Sequence, residues 1–334
     1  MSAQPSSPAR TVEEIMLRCG VSLPPAEFIR AVSNLYHQFE APLYEELHPE
    51  ILQQVPPLVP DLVAAIPGPV SAVEIGCGTG VLSEVLVQTL GARLEHYLCS
   101  DISSAMLERC RARLGGDSRV SFRLQDAQQL AAEGTTSSLV VTCSVLHHIA
   151  DLPPFFRALG ALLRPGGFYL MLHEPSSRYL RNPECAAAWQ AYSAQQQRRR
   201  WRRYFDPRNY VRRFRWLLRG QWGSIRARVA RQLLASGIVR TPISPDEVAR
   251  LVDIHDPIMN AAGLGFGQLG FWPGELGDQY LPGFQLLRVS TYGFLGNVAE
   301  ASAPERWRQV AAELRVRFPE DGANFCALWQ RKPA

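Results

Sequence analysis

A short apolar run, Val70 to Ile75, breaks into Gly76-Cys77-Gly78-Thr79-Gly80, and apolar residues resume at helical spacing over Val81–Leu90. Glycines let the backbone turn tightly and approach a ligand with no Cβ in the way. The helix start beyond them offers free N–H groups and a positive dipole end. Strand, glycine loop and helix in that order predict a parallel α/β core with a nucleoside-like cofactor on the loop.

Spacing narrows the cofactor. A dinucleotide fingerprint counted from Gly76 needs a small residue at position 81, where Val81 stands. No Gly-Lys-Ser/Thr follows, which excludes an NTPase phosphate loop. The pattern is instead E-x-G-x-G-x-G, with Glu74 inside the strand. Leu94–Ser100 reads as a second strand ending at Asp101, whose carboxylate can accept both ribose hydroxyls. Val120–Leu124 reads as a third, followed by Gln125-Asp126-Ala127. Ser138–Thr142 reads as a fourth, followed by Cys143-Ser144-Val145-Leu146-His147-His148-Ile149.

Together with Leu163-Arg164-Pro165-Gly166-Gly167 before a fifth strand at Phe168–His173, these motifs resemble the class I S-adenosylmethionine methyltransferases, over roughly residues 70–175. The resemblance implies a Rossmann-like, seven-stranded, mostly parallel sheet with helices on both faces, and S-adenosylmethionine (SAM) as cofactor. It places Glu74, Cys77 and the backbone of Gly76, Gly78 and Gly80 around the methionine part of SAM. Asp101 would hold the ribose and Ile102 would face the adenine. Asp126 would accept from the adenine amino group beside Ala127, and Ser144 would line the floor near the sulfonium. Helices before the first strand often lid the cofactor in this family, which makes Tyr36 a candidate contact. Two simpler roles stand beside these: Glu74 as a strand carboxylate satisfied by backbone amides, and Asp126 as an N-cap for Ala127–Ala132.

The chain is long for one such domain, at 334 residues with 46% apolar content. Residues 1–69 read as an N-terminal helical lid, opened by the capping box Thr11-Val12-Glu13-Glu14 and carrying helical patterns over Ala26–Glu40 and Pro42–Gln54. Residues 70–175 are the cofactor core. Residues 176–283 form a mainly helical insertion, with a second capping box at Ser244-Pro245-Asp246-Glu247 and a glycine- and aromatic-rich stretch, Gly263–Gly283, expected to hold little helix. Residues 284–334 complete the sheet with strands Phe284–Tyr292 and Asn324–Arg331 around the helix Ala303–Phe318. Placed over the C-terminal sheet edge, the insertion would build the acceptor pocket, and its aromatics favour a bulky or hydrophobic acceptor.

The start of the chain has no apolar signal core and no run suits a membrane span, so a cytoplasmic protein is expected. Seven cysteines without C-x-x-C pairs give no disulfide framework, and no cluster has metal-ligand spacing, so no metal is expected. Thirteen arginines between Arg198 and Arg231, interleaved with aromatics, could be a solvated cap, meet an acidic carrier protein, or grip RNA. Many RNA and amino-group enzymes of the family carry Asp/Asn-Pro-Pro-Tyr/Phe after the fourth strand. Ser144-Val145-Leu146-His147 stands here, which disfavours nucleic acid and points to a small-molecule or carrier-bound acceptor.

The motifs thus predict a SAM-dependent methyltransferase in a biosynthetic, natural-product pathway, with oxygen the first choice of acceptor, then nitrogen or carbon. An oxygen acceptor needs a base, and histidine titrates near neutral pH. The candidates are His147 and His148 after the fourth strand, His173 and Glu174 at the tip of the fifth, and His255 beside Asp256, with His147, His148 and His255 put first. The His-His pair could equally serve structure or cofactor contact.

Overall fold

The computed structural model describes residues 11–204, 224–258, 260 and 269–333. Its centre is a seven-stranded sheet in the order β3-β2-β1-β4-β5-β7-β6. The strands are β1 (Val70–Ile75), β2 (Leu94–Ser100), β3 (Val120–Arg123), β4 (Ser137–Cys143), β5 (Leu163–Pro175), β6 (Phe284–Tyr292) and β7 (Asn324–Arg331). The first five are parallel and β7 runs antiparallel to both β5 and β6, as the sequence motifs imply.

Alternation along the strands makes two cores. Ala72, Leu139, Val141, Leu170 and Leu172 face the helices Val81–Leu90 and Ser104–Leu114, with upstream residues Ile51 to Ile66 on the same side. Val73, Ile75, Val140, Tyr169 and Met171 face the helices Ala127–Ala132, Leu152–Leu162 and Pro273–Tyr280. Strand order reverses between β1 and β4, and a crevice opens outside their C-terminal ends, where open α/β sheets bind ligands.

The lid divides. Helices Val12–Cys19 and Pro25–Glu40 share a third core with Ile225–Ala235 and Pro245–Val252, so the N-terminus and the insertion form one layer over the crevice. Both capping boxes are present, Thr11 with Glu14 and Ser244 with Glu247. A fourth core joins Tyr179, Cys185 and Tyr192 to Trp307 and Leu314 of the helix Glu305–Arg317.

Three local expectations change. The helical pattern over Pro42–Gln54 breaks at His48, because Pro49 has no N–H to carry the helix on. The glycine-rich stretch contains the helix Pro273–Tyr280, with its proline in the first turn, where the missing donor costs nothing. Residues 261–268 of that stretch lie outside the described residues, as do 205–223 of the arginine-rich segment. β5 begins at Leu163 rather than Phe168. Leu163 pairs with Ser137, and a register shift between Ser137 and Leu139 absorbs the turn through Gly166.

Candidate active site

The glycine loop is shaped by its neighbours. Gly76 has φ +71°, and a Cβ there would stand 2.5 Å from Val145 Cγ2. Gly78 has φ +54° with open space on its Cβ side. Asp101 ties the loop down: Oδ2 accepts from the Gly78 N–H at 2.9 Å and Oδ1 from the Ser103 N–H at 2.7 Å. Burial raises the Asp101 carboxyl, against the pull of those two amides.

Three spaces meet around this loop. The first is a cleft of about 240 Å³ lined by Gly76, Asp101, Ile102, Gln125, Asp126 and Ala127, and roofed by Ile29, Arg30 and Ser33 of the lid helix Pro25–Glu40. The second is a narrow slot beside Glu74, Cys77, Gly78 and Thr79. The third is a polar chamber of about 260 Å³. Tyr36, His37 and Glu40 line it from the lid helix, His48 and Glu50 from the residues that follow, Ser144, His147, His148 and His173 from the tips of β4 and β5, and Asp253 and Asp256 from the insertion.

These spaces suit SAM. Gln125 Oε1, in the cleft wall, and Thr79 Oγ1, in the slot, are buried polar atoms with no hydrogen-bond partner. They stand where a nucleoside amino group and an amino-acid tail would lie. Ser144 would border the sulfonium. Its φ of +56° and the +52° of His173 are the positive values among described non-glycine residues, and the two sit at neighbouring strand tips.

Most of the expected site residues border these spaces and also serve the fold. Glu74 turns into the core, where its Oε2 accepts from Ser83 Oγ at 2.5 Å and Tyr97 OH at 2.9 Å, and burial raises it to about 8. Two hydroxyls, rather than backbone amides, satisfy it. Asp126 caps the helix Ala127–Ala132 through Oδ1 while Oδ2 pairs with Arg30 of the lid at 2.9 Å. Tyr36 lines the polar chamber. His255 is 2% exposed, with its Nε2 on the Ile149 carbonyl at 3.0 Å and its ring edge-on to Phe271. Asp256, rather than His255, lies in the chamber lining.

His147 is built differently. Glu174, fully buried at the end of β5, accepts from the backbone N–H groups of Val145 and Leu146 at 2.7 and 2.8 Å, and from His147 Nδ1 at 2.9 Å. With Glu174 ionised, that bond places the proton on Nδ1 and leaves Nε2 on the chamber side, 4.0 Å from Asp253 Oδ1. Burial lowers His147 to about 3, so its imidazole is neutral at physiological pH. Burial raises Glu174 to about 8 and Asp253 to about 7. His148 lines both cleft and chamber, with Nδ1 on the Val252 carbonyl at 2.8 Å. His173 Nδ1 bonds the Tyr292 hydroxyl at 2.7 Å.

Sequence reasoning passed over His37, Glu40, His48 and Asp253. Glu40 bridges both lid histidines, at 3.0 Å from His37 Nδ1 and 2.9 Å from His48 Nε2. The His37–Glu40 spacing of three on a helix was the available signal. Nor did spacing reveal the groups whose ligand atoms lie within 4.8 Å of one another among the described residues: His147 with His148 and Asp253, and Cys77 with Cys99 and Cys110. Each draws on separate elements.

A Rossmann-like core, a glycine loop pinned by an acid and a lidded cleft define a nucleoside-cofactor protein. The family model described as a methyltransferase domain matches residues 73–169, and this core belongs to the class I SAM methyltransferases, with SAM as its cofactor. Ubiquinone biosynthesis O-methyltransferase of Methylocella silvestris is 33% identical over 144 residues, covering 42% of this chain and 54% of the relative. The protein of the same name from a Methylobacterium species is 36% identical over 113 residues, covering 34% and 43%. The chain thus spans about half the length of these curated relatives. Among solved structures, phosphoethanolamine N-methyltransferase 1 of Haemonchus contortus matches with a TM-score of 0.39 and 19% identity, over 46% of this chain and 33% of that one. No helix of the described residues is long and apolar enough to cross a membrane.

Proposed function

We propose that this chain transfers the methyl group of SAM to a hydroxyl oxygen of a small metabolite seated in the histidine-lined chamber. The observation that carries the reading is the Glu174–His147 pair, which presents a neutral imidazole Nε2 to that chamber. SAM supplies a methyl activated on a sulfonium. His147 Nε2 takes the acceptor's hydroxyl proton as the oxygen attacks. Glu174, in its ionised form, holds the ring's tautomer and stabilises the imidazolium that forms, so turnover rises as pH passes through about 8. The lid helix excludes water. The O-methyltransferase names of the relatives support oxygen as the acceptor atom. The same names favour a small metabolite of a biosynthetic pathway as the acceptor.

The test is to incubate the chain with methyl-labelled SAM and a panel of phenols, catechols, amines and total RNA, and to identify products by mass spectrometry. Methylated phenols or catechols that disappear with His147→Ala support the reading. Amines methylated at full rate by His147→Ala would move the acceptor to nitrogen. Saturable, RNase-sensitive labelling would move it to RNA.

A further inference from the structure

Three of the seven cysteines converge beneath the glycine loop from three different elements. Cys77 is the second residue of the loop, Cys99 lies on β2 opposite Glu74 of β1, and Cys110 lies on the helix Ser104–Leu114. All three are free and buried, and their sulfurs lie within 4.8 Å of one another. Cys110 is pressed against the loop, since a Cβ on Gly80 would stand 2.8 Å from its Sγ.

We propose that Cys77, Cys99 and Cys110 form a three-thiolate site for a thiophilic cation of the zinc or cadmium type, directly under the cofactor loop. Zinc–thiolate bonds of about 2.3 Å put three sulfurs around one cation roughly 4 Å apart, which the observed cluster reaches with small side-chain shifts. The slot lined by Cys77, Glu74 and Thr79 gives the cation its entry. Binding displaces the thiol protons to solvent, so affinity rises with pH. A bound cation would tie loop, strand and helix together at the point where the backbone turns around SAM.

The experiment is a cadmium titration of the full chain, read by thiolate-to-cadmium charge-transfer absorption, followed by X-ray absorption at the cadmium edge. The expected result is one tight equivalent per chain with three sulfur neighbours. Cys99→Ser and Cys110→Ser should each weaken it by at least about tenfold, while Cys185→Ser leaves it unchanged. A wild-type first shell of nitrogen and oxygen alone would put the cation in the histidine-lined chamber and overturn the assignment. So would full affinity in Cys99→Ser. X-ray absorption on the wild type decides the matter even if a serine variant fails to fold, and neither readout depends on the acceptor.

Discussion

Glu174 and His147 are joined twice, through the imidazole Nδ1 at 2.9 Å and through the His147 backbone N–H at 3.3 Å, so one buried carboxylate sets both the place and the tautomer of the ring. Glu174→Gln keeps the shape but turns one acceptor oxygen into a donor. The variant should lose about 10²–10⁴-fold in turnover, with S-adenosylhomocysteine affinity within about threefold of wild type. Steady-state rates on an acceptor phenol and calorimetry with S-adenosylhomocysteine check it. Near-normal turnover would mean that His147 needs no orienting partner.

His147→Ala and His255→Ala should fail in different ways. The first removes the base and should cost about 10²–10⁴ in kcat of the folded fraction, besides what it costs in stability by leaving the buried Glu174 without its imidazole partner. The second strips a buried ring from the Ile149 carbonyl and from Phe271, and should cost about 1–3 kcal/mol of stability while kcat of the folded fraction stays near normal. Denaturant unfolding alongside kinetics separates the two.

Asp101→Ala should weaken S-adenosylhomocysteine binding by about 1.5–3 kcal/mol, because the ribose loses its acceptor and the Gly78 amide loses its anchor. Gly76→Ala should do at least as much harm, since its new methyl meets Val145 at 2.5 Å on a backbone of φ +71°. Isothermal calorimetry reads both. An Asp101→Ala variant with unchanged affinity would detach this acid from the cofactor.

His48 gives the fold an alkaline limit. Burial alone would lower it, but its bonds to Glu40 and Glu50 outweigh that and raise it to about 10. A histidine tighter for its proton in the folded state adds stability that is complete below about pH 6.5 and lost as pH rises through 10. Urea midpoints should therefore fall between pH 7 and 10, and His48→Gln should flatten that slope. An unchanged slope would show that the lid cluster does not hold the proton. Glu40 lies below its usual range because its bonds to His37 and His48 outweigh burial, so its contribution appears above about pH 4.5 and fades on further acidification.

The sheet was legible because its signals are local: glycines at a strand end, an acid at the next strand tip, and alternation within each strand. The cofactor loop and Asp101 stand in the cleft that those signals describe. The chamber was not legible, because its walls come from residues more than two hundred positions apart, Tyr36 and His37 against Asp253 and Asp256. Glu74 shows a subtler limit. Its place in the motif was plain, yet which way the carboxylate turns was decided by Ser83 and Tyr97, which no strand pattern announces. His255 misled for the converse reason: a His-Asp pair after a helix reads alike whether it faces a pocket or a phenylalanine.

The lid helix Pro25–Glu40 borders both ligand spaces, with Ile29, Arg30 and Ser33 on the cleft and Tyr36, His37 and Glu40 on the chamber. A single rigid rod therefore forms the shared wall between donor and recipient. Any tilt that admits a bulkier recipient also loosens the grip on the donor. Changing the recipient preference of this protein through that helix will change donor residence time as well, whereas changes confined to the strand tips or to Asp253 and Asp256 leave the donor's roof in place.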